Sequence, residues 1–147
     1  MSINKDSVMA LREKTGAGLI DCKRALGESN GDMEEAVSIL RKKGVATAAK
    51  KSGRSASEGM IAQAISEDRS KGILVEVNCE TDFVAKNDDF VVFSNEIAME
   101  LLNNPSADFE EKRTEQVAKI GENIKISRSE TLAPKTSGLV ESYVHTG

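Results

Sequence analysis

Apolar residues in the first third of the chain recur at intervals of three and four positions, which is the spacing of one face of an α-helix. Residues 4–54 also lack the run of β-branched side chains that would favour a strand. Segments 16–18 and 27–31 contain glycines that interrupt the pattern, and Asp32 has a carboxylate suited to the N-cap of the next helix. The sequence therefore predicts three short helices packed as a small bundle.

From Glu58 onward the apolar period changes to two, which is typical of strands with one buried face. Residues 68–72 have the composition of a turn between two such strands. The side chains expected to face the core in the second strand are Ile73, Val75, Val77 and Cys79. This pattern predicts a β-hairpin.

Two helices and two more strands are predicted after the hairpin. Asn87 can cap a helix that ends before Pro105, and a second helix runs from 107 to 120. The residues expected on the buried side of the first of these helices are Phe90, Phe93, Ile97 and Leu101. Alternation resumes at 124–126 and again at 140–144. The predicted order is β-β-α-α-β-β, an α+β core with an antiparallel sheet.

The last predicted strand begins close to residue 147, where the sequence stops. A strand in that position leaves an open sheet edge that can pair with another strand. We therefore expect the core to be incomplete at its C-terminal end, and the open sheet is a candidate surface for a homodimer.

Charge divides the chain into two parts. The 147 residues contain 20 basic and 24 acidic side chains, for a net charge of −4. Residues 1–56 have 11 basic and 7 acidic side chains, whereas residues 57–147 have 9 and 17. We therefore predict a three-helix module at 1–56, ending in a solvated basic helical connector at 41–54, and an α+β core subdomain at 57–147.

The overall composition argues against several classes of protein. An acidic balance argues against a general nucleic-acid binder, although the basic connector leaves an RNA-associated protein as an alternative. No run of about 18 apolar residues or secretory signal is present, so no membrane association is expected and a cytoplasmic location is predicted.

Candidate catalytic chemistry is sparse. One histidine and two cysteines do not form a zinc site, and the thiols fit a reducing compartment. Lys23 and Arg24 could lower the pKa of the Cys22 thiol, but a buried, inert thiol is the favoured interpretation. Segment 44–52 resembles a phosphate loop but has Ala49 where the second glycine is required. We expect no catalytic residue, metal, cofactor or directly bound nucleotide.

The segment 78–89 is the unusual part of the sequence. Strand alternation ends there, and Phe83 stands among polar residues next to Asp82. One interpretation is that Phe83 caps the core. The other is that it projects into a pocket of a partner, because an aromatic anchor with a polar neighbour is typical of an interface hot spot.

Four blocks of the sequence resemble the bacterial translation elongation factor Ts family, the guanine-nucleotide exchange factors of elongation factor Tu. The blocks are 11–26 (LREKTGAGLIDCKRAL), 30–32 (NGD), 77–85 (VNCETDFVA) and 117–124 (VAKIGENI). The resemblance implies a ubiquitin-associated-like three-helix bundle followed by an α+β core. It also implies that the protein promotes GDP release in translation elongation without covalent chemistry of its own.

The resemblance further implies which residues contact elongation factor Tu in its GDP-bound and nucleotide-free states. These are Arg12, Leu19, Ile20, Lys23, Thr81, Asp82, Phe83, Val84 and His145. Family members often have methionine where this chain has Leu19 and Ile20, a change that keeps apolar bulk and removes flexibility. The alternative function is a non-catalytic interaction module that binds partners through its helical bundle.

Overall fold

The computed structural model describes residues 3–145, which form six helices and three strands. In chain order, the elements are α1 (Lys5–Thr15), α2 (Leu19–Glu28), α3 (Met33–Lys51), β1 (Glu58–Ile65), β2 (Gly72–Cys79), α4 (Asp82–Ala85), α5 (Asp88–Asn103), α6 (Glu110–Ile120) and β3 (Lys125–Leu132).

These elements belong to two compact units. One unit extends to Gly53 and also includes Glu111–Glu122, while the other consists of Arg54–Glu110 and the chain from Asn123 onward. The division into modules at 1–56 and 57–147 stays a prediction. The packing differs from this predicted division in one respect: most of α6 belongs to the helical unit.

Side-chain caps and a left-handed glycine define the helices of the first unit. Asn4 accepts a hydrogen bond from the Ser7 amide at 2.7 Å, and Asp32 accepts one from the Glu35 amide at 2.8 Å. Gly16 ends α1 with φ of 68°, a conformation that favours glycine. The three-helix bundle is therefore confirmed. Its buried core consists of Leu11, Cys22, Ala25, Leu26 and Ala36.

The basic stretch predicted to be a solvated connector is the second half of α3, and one side of it is buried. Gly44 and Ala48 are buried there. A Cβ atom at Gly44 would lie 3.4 Å from the Cβ of Ala118 in α6. The absence of a side chain at Gly44 therefore lets α3 and α6 pack closely, while the neighbouring Lys42 and Lys43 remain exposed.

The second unit is built on an antiparallel sheet in the order β1-β2-β3. Central strand β2 pairs with β1 from Glu58 opposite Cys79 to Ile65 opposite Gly72. Helix α5 packs on one face of the β1-β2 pair. The core at this face consists of Ala62, Ala64, Ile73, Val75, Val77, Cys79, Phe90, Phe93, Ile97, Ala98 and Leu102. The predicted α+β class is thus confirmed, with Leu102 rather than Leu101 as the fully buried leucine.

The fourth predicted strand does not form. Residues 139–145, which include the alternating stretch, have no strand structure. The Val140 amide donates one hydrogen bond to the Arg69 carbonyl at 2.8 Å. Tyr143 and Val144 are exposed, so the alternating pattern there buries too little apolar surface to stabilise an added strand. The prediction also lacked α4, a single helical turn after β2.

Between residues 3 and 145, no helix combines the length and the apolar character that a membrane crossing needs.

Gly59 occupies a position in β1 that excludes a side chain. Its φ is +143°, and a Cβ atom would lie 2.1 Å from the Val77 carbonyl oxygen. We expect Gly59→Ala to lower the free energy of unfolding by about 2 kcal/mol or more, because a backbone clash and an unfavourable φ combine. Urea denaturation measures the change.

The matched control is Gly53→Ala, because a Cβ atom at Gly53 meets no atom within 4 Å. It should change the free energy of unfolding by less than about 0.5 kcal/mol. Equal effects of the two substitutions would contradict the strand geometry around Gly59.

Candidate partner-binding surfaces

The chain leaves β2 and enters a tightly capped turn. The Thr81 hydroxyl accepts a hydrogen bond from the Val84 amide at 3.3 Å and so forms the N-cap of α4. The Cys79 thiol donates to the Thr81 carbonyl at 3.2 Å. The buried end of the strand and the first turn after it are therefore joined directly.

A second cap follows α4 at once. The amides of Lys86 and Asn87 donate to the carbonyls of Phe83 and Val84 at 3.3 and 3.0 Å. The Asn87 side chain then accepts from the Asp89 amide at 2.9 Å and caps α5. The backbone of Phe83 is consequently held from both sides by local hydrogen bonds. We call residues 81–87 the Phe83 turn.

The side chain of Phe83 projects from this turn into solvent with 81% of its surface exposed. The interpretation that Phe83 caps its own core is therefore wrong. Val84 beside it is half-buried, and the exposed Asp82 carboxylate lies 3.9 Å from the ammonium group of Lys86. An exposed aromatic ring on a fixed backbone has the geometry of an interface anchor, because little order remains to be gained on binding.

Two apolar side chains are exposed at the start of α2. Leu19 is 45% and Ile20 75% exposed, while Cys22 on the opposite side of the helix is buried. The N-cap, Gly18, contributes no side-chain hydrogen bond. Lys23 is exposed one turn after Leu19, which places the two on the same side of α2. This unit thus presents an apolar pair with a basic neighbour.

Arg12 is exposed in the last turn of α1, close enough to act electrostatically on Cys22 in α2. In the second unit, the predicted residues Thr81, Asp82, Phe83 and Val84 are brought together in one turn. His145 is exposed and makes an edge-to-face contact with Tyr143, with ring centroids 6.3 Å apart.

Burial raises the pKa of the Cys22 thiol, and the nearby Asp21 carboxylate also raises it. A hydrogen bond with Thr15 and the charge of Arg12 oppose this shift without overcoming it. The sequence had allowed Lys23 and Arg24 to lower the pKa of the Cys22 thiol. The structure shows the opposite shift, so these two residues do not activate the thiol. Cys22 is a core side chain, in agreement with the favoured interpretation.

Within residues 3–145, no three or more His, Cys, Asp and Glu side chains are grouped so that they could hold a metal ion. The surfaces described above consist of exposed apolar and charged side chains suited to contacts with another macromolecule.

Residues 80–147 match the family model described as Elongation factor TS. The match begins at the end of β2 and includes the Phe83 turn. The chain is also similar to proteins named Elongation factor Ts from Clostridium perfringens, at 49% identity over 99% of this chain and 52% of the relative. It is homologous to elongation factor Ts. The resemblance found in the sequence blocks is therefore confirmed.

Elongation factor Ts proteins from other bacteria have a similar identity to this chain. The Hydrogenovibrio crunogenus protein is 47% identical over 99% of this chain and 53% of its own length. The Nautilia profundicola protein is 48% identical over 99% of this chain and 52% of its own length. The chain thus spans about half the length of the elongation factor Ts relatives that it matches.

Two residues near the candidate surfaces were missed in the sequence. Tyr143 is 86% exposed and touches the predicted contact residue His145. Its position in an alternating stretch favoured a strand and concealed this exposure. Glu80 contacts the Asn123 amide, far away in sequence, so no local pattern indicated its role.

The raised pKa of Cys22 gives a prediction for the alkaline range. The folded state favours the neutral thiol, so its contribution to stability is complete below the ordinary thiol pKa of about 8.5 and declines as pH rises through the higher folded value. The difference in free energy of unfolding between this chain and Cys22→Ala should therefore shrink between about pH 8 and pH 10. Urea denaturation across this range measures it, and a constant difference would contradict the burial of the thiol.

Proposed function

We propose that this chain is a guanine-nucleotide exchange factor for elongation factor Tu and promotes GDP release during translation elongation. The observation that supports it best is the exposed Phe83 ring on a turn whose backbone is hydrogen-bonded at both ends. Homology to proteins named Elongation factor Ts supports the assignment of the partner. The chain acts as a binding protein and performs no covalent chemistry.

The proposed mechanism is thermodynamic linkage. GDP is held through phosphate contacts to backbone amides and a magnesium ion, so a protein that disturbs these contacts accelerates GDP release. Phe83 enters a hydrophobic slot of the partner and displaces a helix on the magnesium side of the site. Asp82, next to Phe83 in the same turn, disfavours the metal-bound arrangement. The coupling is reciprocal, so GDP and GTP weaken the binding of the exchange factor by the same factor.

The helical unit supplies a second contact with the nucleotide-binding domain of elongation factor Tu. Leu19 and Ile20 offer apolar surface, while Arg12 and Lys23 at its border offer positive charge. Thr81 and Val84 support Phe83 in the second unit, and His145 is a further contact. Charged residues at the border of an interface contribute to the rate and orientation of association more than to affinity.

Further parts of the proposal concern the state and location of the protein. It binds elongation factor Tu in the GDP-bound and nucleotide-free states, binds no nucleotide itself and acts in the cytoplasm. The sheet face opposite α5 exposes Ile61, Leu74 and Leu132 and is the surface through which we propose that a homodimer forms. An apolar surface of this kind is typical of protein interfaces.

Replacing Phe83 with alanine tests the proposed anchor. The Phe83→Ala variant should accelerate the release of a fluorescent GDP analogue from elongation factor Tu about 30-fold less than the unsubstituted chain does, because a hot-spot aromatic contributes at least about 2 kcal/mol. Stopped-flow fluorescence measures the release rate. The free energy of unfolding should change by less than about 0.5 kcal/mol, because the ring is exposed.

Val92→Ala is the matched control, since Val92 is an exposed apolar residue of α5 in the same unit. It should leave the release rate within a factor of about two. No acceleration by the unsubstituted chain would defeat the proposed function and favour a non-catalytic helical-bundle module. Strongly salt-dependent RNA binding would instead favour the RNA-associated alternative.

Ile20→Ala tests the contact of the helical unit. It should raise the concentration of this chain that gives half-maximal GDP release about fivefold to tenfold, because it removes roughly 1 kcal/mol of apolar contact. Titration in the same assay measures this value. Met9→Ala truncates an exposed residue of α1 in the same unit and should have no effect. A similar response to both substitutions would exclude a specific contact at Ile20.

A further inference from the structure

We propose that Glu80 is the positioning residue of the Phe83 turn: it fixes the exit of β2 so that Phe83 is held ready for its partner. The inference rests on the proposed function for its effect on exchange. Its effect on the turn depends only on this chain.

Glu80 joins three separate segments of the second unit. Its Oε1 atom accepts a hydrogen bond from the Asn123 amide at 2.7 Å and lies 3.6 Å from Nη1 of Arg54. The Asn123 side chain in turn donates from Nδ2 to the Arg54 carbonyl at 2.8 Å. The exit of β2 is therefore tied to the segment before β1 and to the segment before β3. We call these three residues the Glu80 cluster.

Burial makes the Glu80 cluster more than a surface ion pair. Asn123 is 1% exposed, and the side chain of Glu80 is 21% exposed. A charge-assisted hydrogen bond to a buried amide is strong, and losing its acceptor leaves a desolvated N–H group. The bond to Asn123 therefore contributes more to the cluster than the half-exposed guanidinium of Arg54 does.

The position of Glu80 in the chain connects this cluster to Phe83. Glu80 immediately precedes Thr81, the N-cap of α4. The hydrogen bonds of Thr81 and Asn87 hold the Phe83 turn together internally. The bond from the Cys79 thiol to the Thr81 carbonyl also joins the turn to the end of β2. Glu80 adds an anchor outside the turn, because its side chain is bonded to a segment that is buried at Asn123 and Ile124. Without this anchor the turn opens more often, and its amides exchange faster.

Loss of this constraint has a defined kinetic consequence. If the turn samples several directions, only a fraction of molecules present Phe83 correctly, and the apparent dissociation constant rises in inverse proportion to that fraction. The maximal rate, reached when all partner molecules are bound, is retained. A positioning role thus raises the half-saturating concentration, whereas loss of Phe83 itself also lowers the maximal rate.

The first experiment measures the turn in the free chain. Amide hydrogen exchange of Ala85, Lys86 and Asn87 should become about tenfold faster in Glu80→Ala, while Val75 in the middle of β2 keeps its protection. Glu80→Gln retains an acceptor for the Asn123 amide and should restore most of the protection. Glu76→Ala is the matched control, because Glu76 is a carboxylate of β2 that pairs with Arg128 at 2.9 Å.

The second experiment is the GDP-release titration with elongation factor Tu. Glu80→Ala should raise the half-saturating concentration about tenfold and leave the maximal rate within a factor of about two. Glu80→Gln should restore the half-saturating concentration, and Glu76→Ala should leave it unchanged. In a Phe83→Ala background, Glu80→Ala should have little further effect, because the ring that it positions is already absent.

The outcomes separate the proposal from the proposed function. Unchanged protection of the turn in Glu80→Ala would overturn the positioning role, as would an equal loss of protection at Val75, which would indicate general destabilisation. A lower maximal rate with an unchanged half-saturating concentration would also overturn it. If the unsubstituted chain does not accelerate GDP release, the proposed function fails, and the hydrogen-exchange result alone decides whether Glu80 positions the turn.

Discussion

The pairing of β2 along both of its edges is the constraint on which the second unit depends. Antiparallel bonds to β1 and β3 fix its register, and burial under α5 fixes which of its side chains face inward. A shift by one residue would exchange the two faces and expose Val75 and Val77. The place where β2 ends, and hence where the Phe83 turn begins, follows from this register.

A buried strand and an exposed aromatic residue are thus separated by only a few positions. Cys79 is fully buried, and Phe83 is among the most exposed apolar side chains of the described chain. Local caps make this transition abrupt, because Thr81 and Asn87 satisfy amides that would otherwise need water or further helical turns. Hydrogen bonds hold the backbone of the turn in one conformation, while the ring of Phe83 remains exposed to a partner.

The sequence predicted most of the elements because their signals are local. Helices α1 to α3, the hairpin and the cap at Asn87 all have periodicity or cap residues within a few positions. The last strand was predicted wrongly, because alternation at 140–144 does not reveal that Tyr143 and Val144 are exposed. The packing of α6 against α3 was also missed, because it depends on Gly44 and Ala118, which are far apart in the chain.

The candidate surfaces were predictable only in part. The sequence identified Phe83 as unusual but left its direction open, since an aromatic residue after a strand can turn either way. The resemblance to elongation factor Ts supplied the remaining contact residues, whose roles stay predictions. The contacts of Glu80 with Asn123 and Arg54 had no local signal, because these two residues come from other segments.

The discontinuous composition of the helical unit has a consequence for dissection of this polypeptide. Glu111–Glu122 belongs with the residues that end at Gly53, so a single scission near residue 56 would not release that unit whole. A fragment cut there would lack α6 and would uncover α3 at Gly44, the position that Ala118 faces. Isolating the helical unit whole would therefore require α6 to be rejoined to α3 by a new linker.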